Sequence, residues 1–133
     1  MSGEKDLQIL IASMEPRLSP ETYGFVSMPR FDQDPAVTAQ ALMVFEEAEG
    51  TTLILPWRLA QVHGAELECG MISLLVHSSL EAVGLTAAFA KALTEVEISA
   101  NVVAGFYHDH IFVPKDRAED ALDALRTLSE AAR

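Results

Sequence analysis

Between residues 77 and 85 the sequence reads HSSLEAVGL. An apolar run ends there and an amphipathic stretch begins. A turn from a strand into a helix presents unpaired backbone N–H groups at the positive end of the helix dipole. A carboxylate can dock on such groups. Ser78 and Ser79 add hydroxyl donors, Glu81 can pair with an ammonium group, and Gly84 lets a ligand approach the backbone closely. Val83 and Leu85 complete the turn. The same spacing has a second reading, because Ser78-x-x-Glu81 fits a capping box. Further along, Asn101 is a polar residue in an otherwise apolar strand that is expected to face this helix start. It could hold a ligand or satisfy a backbone edge at a subunit contact.

His108-Asp109-His110 places two histidines two apart. On a strand they would share a face, as a metal pair does. A closed zinc site needs four ligands and a catalytic one usually three, and neither His63 nor His77 has motif spacing to this pair. A polar hairpin tip is the simpler expectation, with no metal site. Asp109 suits a turn by type alone. Cys69 is the only cysteine. It cannot form an internal disulfide and has no base at motif spacing, so it reads as a small residue at the start of a buried strand. Trp57, after Pro56, reads as the core anchor of a short helix.

The elements that must position these residues are legible from period and punctuation. Leu7, Leu10, Ile11 and Met14 form a helical stripe, which Glu15-Pro16 stops. Residues 23–28 read as a strand, and 29–40 as a loop with at most one helical turn. The runs 41–47 and 51–55 flank Ala48-Glu49-Gly50, a hairpin signal. Pro56 starts a short helix over 57–62, closed by His63-Gly64. Residues 71–77 read as a central buried strand. Leu85, Ala88, Phe89, Ala92, Leu93 and Val96 give a strong amphipathic helix. Strands over 98–107 and 110–113 follow, with a tight turn at His108-Asp109. Asp116 and Glu119 fit a capping box on a last helix carrying Ala118, Ala121, Leu122, Leu125 and Leu128.

The second half thus runs strand–helix–strand–strand–helix, and the first half is a degraded copy of the same order. This is an α+β class with a ferredoxin-like βαββαβ layer repeated in tandem, 1–65 and 66–133. Strands 71–77 and 98–107 are expected to be neighbours in one sheet. The second copy lacks a final strand. That strand is absent, borrowed from the other half, or supplied by the segment before Met71.

Composition narrows the function. The 133 residues carry a formal net charge of −11, which repels phosphate backbones and anionic lipid and argues against nucleic-acid and membrane partners. No apolar run approaches the roughly 20 residues of a membrane span, and the N-terminus has no signal-like cleavage pattern. A cytoplasmic protein is expected.

The stretch VHSSLEAVGLTAAFAKALTEVEISANVVAGFYHDHIFVPKDRAEDALDAL, residues 76–125, closely resembles the ACT domains, specifically small tandem ACT-like proteins of bacteria. It is more distantly similar to the ACT pairs of aspartate kinases and of animal cytosolic arginine sensors. Residues 7–64 resemble them more weakly, through LPWRLA and the order of elements. The resemblance implies domains paired side by side or in dimers, binding of an amino acid or similar effector, and no catalytic chemistry. It also implies ligand contacts at Phe106 and Asp109. The usual Asp-x-Pro-Gly turn is replaced here by Ala82-Val83-Gly84-Leu85, which keeps only the glycine.

The expected function is a small-molecule-binding regulatory module, with an amino acid as the expected ligand, without catalysis or cofactor and working as a homodimer or higher homo-oligomer. The alternative is an oligomerisation scaffold of the same fold with no ligand. No Gly-rich phosphate loop, HExxH, CxxC or nucleophile elbow supports an enzyme.

Overall fold

The computed structural model describes residues 6–31, 34–76 and 83–133. In chain order its elements are α1 (Leu7–Ser13), β1 (Pro16–Met28), α2 (Pro35–Thr38), β2 (Met43–Glu46), β3 (Thr51–Pro56), α3 (Trp57–Val62), β4 (Cys69–Leu74), α4 (Leu85–Glu95), β5 (Asn101–Ala104), β6 (Asp109–Pro114), a 3₁₀ turn (Lys115–Arg117) and α5 (Ala118–Ala131). They fall into two compact units. One holds the residues up to Ser19 and from Gly70 on, and the other holds Pro20–Cys69.

In the first unit the strand order is β1-β4-β6-β5. Counted from β4, that is the fourth, first, third and second strand of a ferredoxin-like sheet. The missing final strand is therefore borrowed from the N-terminal part of the chain, through the start of β1. Strand β6 stands between β4 and β5, so the expectation that 71–77 and 98–107 are immediate neighbours is corrected. After the crossover through α4, β6 returns antiparallel to β5 and fills the gap between β4 and β5.

Ile72 and Leu74 of β4, Ile111 and Val113 of β6, Leu10 and Met14 near α1, Phe89 and Leu93 of α4, and Leu125 of α5 form this unit's core. The i, i+4 pair Phe89 and Leu93 is fully buried, as the apolar spacing of α4 requires. Asp6 caps α1 by accepting from the Ile9 N–H at 3.1 Å. The capping box expected at Asp116 and Glu119 does not form. Pro114 is followed by the 3₁₀ turn, Asp116 sits inside it, and α5 begins after Arg117 with no side-chain cap.

In the second unit the order is β2-β3-β1, with both pairs antiparallel. Phe25 lies opposite Ile54, and Ile54 opposite Met43. Val26, Val37, Leu53, Leu55 and Ala60 form a small core, and Trp57 packs against it. Strand β1 begins earlier than the sequence suggests, running through Ser19-Pro20. The ladder with β3 begins only at Tyr23, so Pro20, which has no N–H to give, lies ahead of it.

Candidate functional site

The turn into α4 is built on Gly84. It occupies the N-cap position with φ 98°, in the left-handed region, and makes no side-chain cap. Only a residue without Cβ adopts that conformation cheaply. The N-cap is thus Gly84 rather than Ser78, and Ser78, Ser79 and Glu81 lie outside the described residues. The Ala88 N–H donates to the Gly84 carbonyl at 2.9 Å and closes the first turn. The preceding amides of α4 lack such intrahelical partners. Val83 is exposed and Leu85 is buried in the core.

The end of β4 lies beside the start of β6. His108 Nδ1 is 3.4 Å from the Val76 carbonyl, and His110 Nδ1 is 2.7 Å from Ser73 Oγ. The turn between β5 and β6 spans Gly105 to His108 and is closed by the Gly105 N–H donating to the His108 carbonyl at 2.9 Å. The expected turn at His108-Asp109 is therefore shifted back, and Asp109 opens the strand. A Cβ at Gly105 would lie 2.8 Å from that carbonyl, so the turn requires glycine. Phe106 and Tyr107 project outward, edge to face, with centroids 5.0 Å apart.

Register separates the candidate residues by face. Val102 lies opposite Ile111, and both belong to the helix-side core. Side chains alternate along a strand, so Asp109 shares that face while His110 takes the other, with Ser73. Asn101 lies opposite Phe112 and is exposed on the edge strand, on the face away from the helices. It does not face the start of α4 as the sequence suggested. Asp109, Gly84 and Leu85 belong to the helix side.

Burial raises the Asp109 carboxyl above its ordinary value, opposed by the neighbouring His110 and then His108. Burial lowers the His110 ring, helped by His108 and opposed by Asp109. Near neutrality His110 is therefore a neutral hydrogen-bonding group. Among the described residues no three His, Cys, Asp or Glu side chains group closely enough to hold a metal ion. Cys69 is buried, with its thiol 3.8 Å from the Leu67 carbonyl. Burial and then Glu68 push its pKa up, which disfavours the thiolate that reactivity needs. Sequence reasoning missed Ser73. Its only signal was a hydroxyl inside the apolar run of β4.

An ACT-domain model matches residues 2–69, and a second ACT-domain model matches residues 66–127. The chain belongs to the ACT-domain family. ACT domains are typically regulatory modules that bind small molecules such as amino acids. Among solved structures this ACT protein is similar to a Vibrio cholerae protein of unknown function, described as a possible transport protein. The two are 44% identical over 94% of this chain and 97% of that one, with a TM-score of 0.80. A protein from Agrobacterium tumefaciens shares the fold at 17% identity, over 87% of this chain and 89% of its own, with a TM-score of 0.72. The ligand-free regulatory subunit of aspartate kinase from Thermus thermophilus does so at 13% identity, over 89% and 97%, with a TM-score of 0.63. No curated protein matches by sequence. No helix among the described residues is long and apolar enough to cross a membrane.

Proposed function

We propose that this tandem ACT protein is a non-catalytic regulatory module that binds an amino acid at the turn between β4 and α4. Membership of the ACT family supports the ligand class. The observation that carries the site is Gly84, left-handed at the N-cap with no side chain occupying the cap. The α4 amides behind it suit a carboxylate, and the half-buried Asp109 carboxylate on the helix face offers a partner for an ammonium group. Ser78, Ser79 and Glu81, which lie outside the described residues, are by type two hydroxyl donors and a second acid. Strand β2 carries the exposed Val44 and Phe45 at a sheet edge. Such an edge favours pairing with another copy, so the module works as a homo-oligomer.

The test is thermal stabilisation against each of the common amino acids. A ligand at about 100 times its dissociation constant adds roughly 2.7 kcal/mol. Asp109→Asn is expected to lose most of that gain. A flat response across all of them rejects the reading and favours a ligand-free scaffold.

A further inference from the structure

Glycine permits the left-handed turn before α4 but does not hold it, because a glycine backbone visits both hands about equally readily. Gly84 stands at φ 98° with no side-chain cap on the helix, so something else must select that conformation. The group that faces it comes from α1. A Cβ placed on Gly84 would lie 3.0 Å from Leu7 Cδ2, 3.6 Å from Leu7 Cδ1 and 3.8 Å from Leu7 Cγ, and these are its three nearest neighbours. The end of one leucine side chain therefore backs the glycine.

Leu7 has little other work in the fold. Leu10, Ile11 and Met14 anchor α1 in the core of this unit, whereas Leu7 stands outside that cluster and is 37% exposed. The helix that carries it is held in turn by α5. The Ser129 hydroxyl lies 3.2 Å from both the Ala12 and Met14 carbonyls, and Arg133 Nε donates to the Ala12 carbonyl at 3.1 Å. At the other end of α1 the Gln8 side chain donates to the Ala132 carbonyl. A chain of contacts thus runs from α5 through α1 to Gly84, all within the first unit.

We infer that Leu7 is a positioning residue for the turn before α4, and that docking of α1 through it regulates what the turn binds. This regulation rests on the amino-acid site proposed above. With Leu7 seated, Gly84 stays left-handed and the first amides of α4 are presented in one arrangement. With Leu7 withdrawn, Gly84 samples both hands, and only a fraction of the molecules present those amides. A ligand that needs the left-handed turn then binds more weakly by that fraction.

The test has two arms on the whole protein, with Leu7→Ala, Leu7→Met and Ile9→Ala. The first needs no ligand. The Ala88 N–H closes the first turn of α4 on the Gly84 carbonyl, and its hydrogen exchange reports how often that turn opens. Exchange at Ala88 is expected to rise about tenfold in Leu7→Ala, to return towards the native rate in Leu7→Met, and to stay native in Ile9→Ala, which trims an exposed residue of the same helix. Exchange at Leu125 in α5 stays unchanged throughout, which excludes a general loss of stability. The second arm uses a mixture of the common L-amino acids as the probe. The concentration that gives half the thermal stabilisation is expected to rise about tenfold in Leu7→Ala, as it does when one molecule in about ten holds the competent turn. Unchanged exchange at Ala88 in Leu7→Ala overturns the positioning role. Faster exchange with an unchanged half-point overturns the regulation. A native protein that ignores the mixture, with faster Ala88 exchange in Leu7→Ala, rejects the amino-acid site and with it the regulation, and upholds Leu7 as the residue that shapes the turn.

Discussion

The hydroxyl of Ser73 lies 2.7 Å from Nδ1 of His110, on the face of the sheet that turns away from the helices. Through it the end of β4 and the start of β6 share a titratable side chain whose proton affinity the fold has lowered.

That lowering makes stability depend on pH. A free imidazole titrates near pH 6.5, and in the folded chain burial shifts His110 below this value. Above about pH 6.5 both states are neutral and the contribution is fully present. As pH falls through 6.5 the unfolded chain takes up the proton first, so stability is lost until the folded pKa is passed. Urea midpoints from pH 7.5 down to 5 should fall more steeply for the native sequence than for His110→Gln. Parallel curves would show that the ring contributes nothing.

Asp109 acts in the opposite sense at lower pH. Its folded pKa is raised, chiefly by burial, so the folded state takes the proton before the unfolded one. Stability from this group is present below about pH 3.9 and is lost as pH rises through the raised value. Asp109→Asn mimics the neutral acid, so it should be more stable than the native chain at neutral pH, with the difference vanishing near pH 4. A variant less stable than the native chain at pH 7 would mean that the ionised form has a partner in the fold.

Gly84→Ala should destabilise by about 1–2 kcal/mol, the cost of placing a Cβ in the left-handed region. Gly64 supplies the comparison. It also has positive φ, 92°, but a Cβ there meets nothing within 4 Å, whereas at Gly84 it meets Leu7 Cδ2 at 3.0 Å. Gly64→Ala therefore reports the backbone cost alone. Any excess at Gly84 should disappear in a Leu7→Ala background. If the excess persists there, it arises from something other than Leu7.

Much of this fold could be read from local signals. The i, i+3, i+4 spacing from Leu85 gives α4 directly, because burial of one helical face imposes that period. Gly50 and Pro56 bound β3 for reasons held within a few residues. The errors came where long-range pairing decides. Pro16 and Pro20 look like breakers of β1, yet Pro16 is its first residue and Pro20 precedes the β3 ladder. The sequence alone places Asn101 in an apolar strand expected to face α4, with nothing local to fix which face of the strand it takes. Register against Phe112, fixed by a strand read from another segment, turns it to the opposite face. The site suffered most. Ser73 and His110 are 37 residues apart, a pairing that no spacing rule reveals.

Gly24 in the second unit sits where three side chains converge. A Cβ there would lie 2.9 Å from the Cβ atoms of both Ala60 and Ala65, and 3.1 Å from Trp57 Cε3. None of the three is the far end of a flexible chain, so α3 would have to move off β1. Gly24→Ala should cost about 1–3 kcal/mol, the usual range for overpacking. Ala65→Gly in the same chain should recover part of it. Chemical denaturation of the three variants checks this, and a neutral Gly24→Ala would mean that α3 yields freely.

The last turn of α1 depends on α5. The final carbonyls of a helix have no partners within it, and here the Ala12 carbonyl accepts from Arg133 Nε as well as lying within reach of Ser129 Oγ. Met14, the C-cap, has only the Ser129 hydroxyl as a side-chain donor among the described residues. Ser129 is buried, so no water readily replaces it. Ser129→Ala should therefore destabilise by about 1–3 kcal/mol, the cost of leaving a buried acceptor unmade. Arg133→Ala should cost less than 1 kcal/mol, because it is exposed and Ala12 keeps a second donor. Together they should cost more than the sum of the two, since the pair removes both donors from one carbonyl. Strict additivity in a double-mutant cycle would show that the two side chains do not share the Ala12 oxygen.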